Sequence, residues 1–261
     1  MSRSENVVLL RPAAVVDKVP QVILLFWVIK ILATTVGETG GDALSMQLNL
    51  GYAVSSLIFM AVFAITLTIQ IRSRAYHPFA YWAVVVATTT VGTTMSDFLD
   101  RSLKLGYVKS SIALFMAVLL MLWLWKRSVG QVRFEGIESR REELFYWVTI
   151  LVSNTLGTAL GDFAADDTGL NLGFQWGAVL FGALIAGVVL AHYLFKRIPA
   201  AALFWAAYIL TRPLGATVGD TLTKAPDQGG IGLSRIGSSL TILAVMIVLI
   251  ITMEYRQRRR A

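Results

Sequence analysis

The sequence contains no cysteine. That absence removes disulfides, thiolate metal sites and every mechanism that needs a catalytic thiol. Charge is scarce as well: Asp, Glu, Lys and Arg make up 15% of the 261 residues while 56% are hydrophobic, whereas soluble domains carry about 25% charged residues. Of the two histidines, His77 and His192, both fall at expected helix ends beside basic residues, a placement that suits a lipid interface better than metal ligation. No nucleophile with its base, no phosphate-binding loop and no histidine ligand set can be assembled, so neither an enzyme nor a cofactor is expected. The first 19 residues carry Arg3, Glu5, Arg11, Asp17 and Lys18 and no cleavage-like site. The first apolar segment, rather than a removable leader, is therefore expected to act as the targeting signal.

What the sequence does hold is apolar runs. A span of about 20 residues crosses the hydrocarbon core of a bilayer, and such runs fit near 21–43, 50–71, 79–99, 106–125, 145–164, 173–195, 200–221 and 234–253. The expected class is an all-α membrane protein of eight transmembrane helices. The net charge of +7 could suggest nucleic acid, but its distribution does not. Basic residues gather in alternate loops: Arg3, Arg11 and Lys18; Arg72 and Arg74; Lys126, Arg127, Arg133, Arg140 and Arg141; Lys196 and Arg197; Arg256, Arg258, Arg259 and Arg260. The opposite loops hold Arg101, Lys104 and Lys224. Positive charge stays on the cytoplasmic side, so both termini are expected inside, in a bacterial inner membrane with the lipid bilayer as partner and no nucleic acid.

One pattern recurs four times. Trp27–Asp42, Trp82–Asp97, Trp147–Asp162 and Trp205–Asp220 each place glycine ten residues after the tryptophan (Gly37, Gly92, Gly157, Gly215) and aspartate five residues later. Spacing that strict indicates internal duplication. The returning loops LNLGY, LKLGY and LNLGF extend it into the following helix, so each repeat is a two-helix hairpin. The expected layout is an arm over 1–19, repeats over 20–75, 76–127, 144–198 and 199–254, a polar linker over 128–143 with at most one helical turn, and a basic tail over 255–261. Two crossings per repeat leave all four in one orientation, related by rotation about the membrane normal. A pseudo-four-fold ring is the simplest arrangement.

Residues three, four or seven apart share a helix face. Thr35, Glu38 and Asp42 form such a stripe, with counterparts Thr90, Thr93 and Asp97, then Thr155, Thr158 and Asp162; in the fourth repeat only Asp220 remains beside Pro213 and Ala216. Lys30, Lys109, Arg212 and Arg235 also fall within expected spans. Buried ions unpaired cost several kcal/mol each, so these basic residues are expected to meet the carboxylates. If the ring closes, repeat one adjoins repeat four, and Glu38 should contact Arg212. The tryptophans by default anchor at the interface, although their identical placement also suits packing between neighbouring repeats. The serine pairs Ser55–Ser56, Ser110–Ser111 and Ser238–Ser239 read as helix-packing positions.

Through KVPQVILLFWVIKILATTVGETGGD, the Gly-Asp endings and TRPLGATVGD, the chain resembles a family of bacterial integral membrane proteins known as tandem repeats of unknown function. That resemblance implies two transmembrane segments and one tryptophan per repeat and four repeats per protein, matched here by Trp27, Trp82, Trp147 and Trp205; it implies no activity. From the residues themselves, ionisable groups inside spans mark solute pathways, and carboxylates with hydroxyls but no thiols suit hard cations. The expectation is transport of a small cation, divalent metals included. Two alternatives stay open: an inert ion-pair lattice in a structural or interaction protein, and a carrier for a small anionic or polar solute.

Overall fold

The computed structural model describes residues 18–73, 75–137 and 139–258. The arm expected over 1–19, Arg74 and the last residues of the basic tail fall largely or wholly outside them. The helices are α1 (Leu24–Asp42), α2 (Gly51–Arg72), α3 (Pro78–Asp97), α4 (Tyr107–Val129), α5 (Arg140–Ala165), α6 (Gly173–Leu194), α7 (Ala200–Thr223) and α8 (Arg235–Arg258). Seven are long and apolar enough to cross a membrane. The exception is α3, whose second half ATTTVGTTMSD is rich in hydroxyls, and α3 is walled by α1, α2 and α5.

The odd-numbered helices form a closed inner ring in the order α1, α3, α5, α7, with α7 returning to α1. The even-numbered helices lie outside, and each packs mainly on the inner helix of the next repeat: α2 on α3, α4 on α5, α6 on α7 and α8 on α1. The hairpins are thus units of sequence but not of packing. Their turns let each outer helix cross to the neighbouring repeat, which ties repeats together in series and closes the series through α8. Large apolar side chains such as Leu57, Ile65, Met116, Leu120, Val179 and Val248 stand exposed on these outer helices, as a lipid-facing surface requires.

Two layers of contacts explain why glycine and tryptophan recur. Between membrane helices there is little hydrophobic driving force, so close packing and hydrogen bonds hold them together. A Cβ on Gly37, Gly92 or Gly215 would lie 2.9 Å from the backbone carbonyl carbon of Thr89, Asn154 or Thr34 respectively, and one on Gly157 would lie 2.9 Å from Pro213 Cδ. Each glycine therefore admits the next repeat's helix at its closest approach. At the same level the Thr89 hydroxyl donates to the Ala33 carbonyl at 3.1 Å, and the Thr34 hydroxyl donates to the Thr211 carbonyl at 3.1 Å.

Toward the opposite end, the residue before each tryptophan is aromatic and packs on the tryptophan of the next repeat. Phe26 meets Trp82, Tyr81 meets Trp147, Tyr146 meets Trp205, and Phe204 meets Trp27, with centroids 5.5, 5.3, 5.8 and 5.5 Å apart. The Tyr81 and Tyr146 hydroxyls share a 2.7 Å hydrogen bond across this collar. Trp82, Trp147 and Trp205 are buried, so they seal the ring instead of anchoring at the headgroups. Packing took the place of the interfacial role because each indole has an aromatic partner one repeat away.

Of the linker expected over 128–143, residues 128 and 129 end α4 and residues 140–143 form the first turn of α5; the described residues between them form no helical turn. This stretch runs across the tryptophan end of the ring, where Phe134 stacks on Phe204 at 4.6 Å, Ile137 is buried, and Glu135 accepts from the Val22 amide at 3.3 Å. Lys18 pairs with Glu143 at 2.8 Å beside it.

Candidate functional site

Three positions of each repeat fall one helix turn apart on one face and are buried within the ring. Seven residues after the tryptophans stand Thr34, Thr89, Asn154 and Arg212; eleven after, Glu38, Thr93, Thr158 and Ala216; fifteen after, Asp42, Asp97, Asp162 and Asp220. All of these are buried. Asp42 and Asp97 end α1 and α3, after which the chain widens into π-helical turns, Ala43–Gln47 and Phe98–Ser102, whereas Asp162 and Asp220 stand three residues before the ends of α5 and α7. The chain then reverses through Asn49 and Gly51, Lys104 and Gly106, or Asn171 and Gly173, all with positive φ. The shared LNLG or LKLG motif is thus a left-handed turn, which glycine adopts without strain.

Charges occupy the axis in pairs. Arg212 donates to Glu38 Oε2 at 2.9 Å, so the contact expected between repeats one and four is formed. The same guanidinium group reaches the Thr93 hydroxyl and, at 3.4 Å, the Thr89 carbonyl. Thr93 also donates to Glu38 at 3.2 Å. Nearer the open end, Lys224 lies 3.0 Å from Asp42 Oδ2 and 3.2 Å from Asp220 Oδ1, and Arg235 lies 3.6 Å from Asp42 Oδ2. On the far side Arg101 pairs with Asp97 at 3.0 Å and Asp162 at 3.8 Å. Repeats two and four, opposite one another in the ring, therefore each supply a cation that bridges their own aspartate to the next repeat's. Burial works against the Lys224 charge, yet Asp220 and Asp42 outweigh it and hold its pKa well above the usual lysine range.

Carboxylate oxygens of Glu38, Asp42 and Asp220 lie within 4.8 Å of one another, close enough for all three to ligate one ion. Asp42 Oδ1 is buried and has no hydrogen-bond partner. Arg101, Lys224 and Arg235, the cations paired with the aspartates, line a vestibule of about 600 Å³ together with residues that include Asp166, Asn171 and Asp227.

Several expectations are corrected here. Lys109 is exposed in the first turn of α4 and stands outside the network, because the helix begins only two residues before it. Lys30 is fully buried but meets no carboxylate among the described residues: its ammonium lies 4.2 Å over the Tyr208 ring, one turn below Arg212, with no hydrogen-bond partner among them. Thr35, Thr90 and Thr155 bond within their own helices. Each hydroxyl donates to the carbonyl four residues back, Ile31 at 3.0 Å, Val86 at 2.7 Å and Leu151 at 3.0 Å, the bond that threonine makes readily inside a helix. Thr158 likewise bonds back to Asn154 at 3.4 Å. Arg101 and Lys224, read from the sequence as loop charges, belong to the site; each stands four residues after an aspartate, the spacing of a helical ion pair. Of the serine pairs, Ser239 bridges α8 to α1 through Thr39 at 2.7 Å.

The family model described as Repeat of Unknown Function (DUF347) matches residues 25–76, 80–131, 145–197 and 203–260, and the chain belongs to that family. No curated protein and no solved structure matches it.

Proposed function

We propose that this member of the repeat family carries a small cation, divalent metals included, across a bacterial inner membrane along the axis of its ring. One observation carries the reading. The repeats converge carboxylate oxygens of Glu38, Asp42 and Asp220 within 4.8 Å of one another, buried beside Lys224 and Arg235, which line the vestibule, and formed of oxygen donors alone, which is hard-cation chemistry. The opposite end, closed by the aromatic collar and by Phe134, suits the outward-loaded conformer of an alternating-access carrier. The positive-inside bias puts the aspartate end outside.

A second reading has its own support. Each of the buried carboxylates Glu38, Asp42, Asp97, Asp162 and Asp220 lies within 3.8 Å of a basic group of Arg101, Arg212, Lys224 or Arg235, as in an inert lattice that orders the ring. Proteoliposomes containing a metal-sensitive dye separate the two. Transport predicts Mn²⁺ or Cd²⁺ entry that Asp42→Asn and Asp220→Asn abolish while the protein remains monodisperse. Equal flux in empty and protein-containing vesicles, across Mn²⁺, Cd²⁺ and Na⁺, would leave the lattice reading in place.

A further inference from the structure

We propose that the Lys224 ammonium is a tethered competitor for the transported ion: it occupies the cation site in the resting state, and a divalent ion loads only by displacing it into the vestibule. This rests on the cation reading of the same site. Lys224 is the first residue after α7, in extended conformation, and its Nζ bridges Asp42 and Asp220 as a bound ion would.

The backbone around it is fixed while the side chain has somewhere to go. Leu233 donates to the Leu222 carbonyl at 2.9 Å, Ile231 to Thr221 at 2.7 Å and Gly232 to Lys224 itself at 2.9 Å, so the loop is pinned back onto the end of α7. The lysine side chain nevertheless lines the 600 Å³ vestibule, and rotation about its four-carbon stem moves the ammonium from the carboxylates into that space. What it would leave is an unfinished coordination shell. Asp42 Oδ1 and Asp220 Oδ1 already lack a hydrogen-bond partner among the described residues; with Lys224 gone, Asp42 Oδ2 would lose its hydrogen bond and Asp220 Oδ1 its ion pair at 3.2 Å.

Charge selects the class of ion. With Lys224 withdrawn, three carboxylates face Arg212, the one basic group that the described residues bring into hydrogen-bonding distance of them; it holds Glu38. Arg235, at 3.6 Å and partly exposed, offsets a fraction of the remaining negative charge. That balance favours a divalent over a monovalent ion, and oxygen ligands from carboxylates favour Mn²⁺ or Mg²⁺ over softer metals. A competitor that fills the site most of the time lowers the apparent affinity by the fraction of protein left competent.

Mn²⁺ binding to the purified protein in nanodiscs, measured by electron paramagnetic resonance, provides the first arm. Lys224→Met, which keeps the stem and removes the charge, should tighten Mn²⁺ binding about tenfold or more, and Lys224→Arg should stay within about twofold of wild type; Asp42→Asn should abolish binding in either background. The second arm uses wild type alone and so survives a Lys224→Met protein that fails to fold. Amine acetylation followed by peptide mass spectrometry should find Lys224 protected without metal and reactive at saturating Mn²⁺. If Mn²⁺ binds and Asp42→Asn removes it, but Lys224→Met binds no tighter and Lys224 reactivity is unchanged, the competitor role is overturned and the cation site survives. If wild type and Lys224→Met both ignore Mn²⁺ at millimolar concentration, both fall together.

Discussion

At the scale of single residues, the pair that closes the ring is also the one least able to lose a partner. Arg212 is completely buried and Glu38 nearly so; removing one member leaves the other charged in a site with little water, which costs about 3 kcal/mol or more. Glu38→Gln and Arg212→Met are each expected to lower the unfolding midpoint, and the double exchange Glu38→Arg with Arg212→Glu to recover part of the loss. Thermal unfolding in detergent followed by circular dichroism checks this, and two single variants as stable as wild type would contradict it. Glu38 and Arg212 were legible from sequence because two equivalent stripes had gained opposite charges. Lys30 was not: expected like the other basic residues within spans to meet a carboxylate, it turns to the Tyr208 ring instead. Thr35, Thr90 and Thr155 bond within their own helices, and a hydroxyl that can do so carries no marker in the sequence of which neighbour it faces.

At the scale of helices, the glycine ten residues after each tryptophan sets the separation of the inner helices. An alanine at Gly92 would meet backbone atoms of Asn154 and Thr155, which cannot move aside as a side-chain tip can, so Gly92→Ala should destabilise by about 1–3 kcal/mol, as overpacking does. Gly187, on an outer helix with nothing within 4 Å of the added carbon, is the control, where alanine should be neutral or gain up to about 1 kcal/mol through helix propensity. Equal unfolding temperatures for the two variants would show that the close approach is not what glycine provides. The inner ring could be read from sequence because its contacts are written into spacing. The partners of the outer helices could not: α2, α4, α6 and α8 are apolar nearly all round, so no face distinguishes the helix of their own repeat from that of the next. The aromatic residue before each tryptophan was a visible signal of the collar, but it varies between Phe and Tyr while tryptophan and glycine hold constant.

At the scale of the whole molecule, the structure changes how the charge bias across the membrane is counted. Of the basic residues at the aspartate end, Arg101, Lys224 and Arg235 are held by buried carboxylates, leaving Lys104 and Lys109 exposed there. The tryptophan end keeps Lys18, Arg72, the basic clusters at 126–141 and 196–197, and Arg256. Orientation follows from basic residues near helix ends, and neutralisation of three by partners inside the ring steepens the bias instead of reducing it. We therefore expect the aspartate end outside and both termini inside. The cysteine-free chain makes this directly measurable. Single cysteines at the exposed positions Gln47, Ser102, Thr168 and Asp227, one in each turn of the aspartate end, should react with an impermeant maleimide in intact cells. Cysteines at Ser139 and Lys196, exposed at the other end, should react only after permeabilisation. The reverse pattern would invert the molecule, put the vestibule in the cytoplasm and turn the proposed loading conformer into one that takes its ion from inside the cell; the ring, its collar and its ion pairs would be unaffected, since none of them depends on which side faces out.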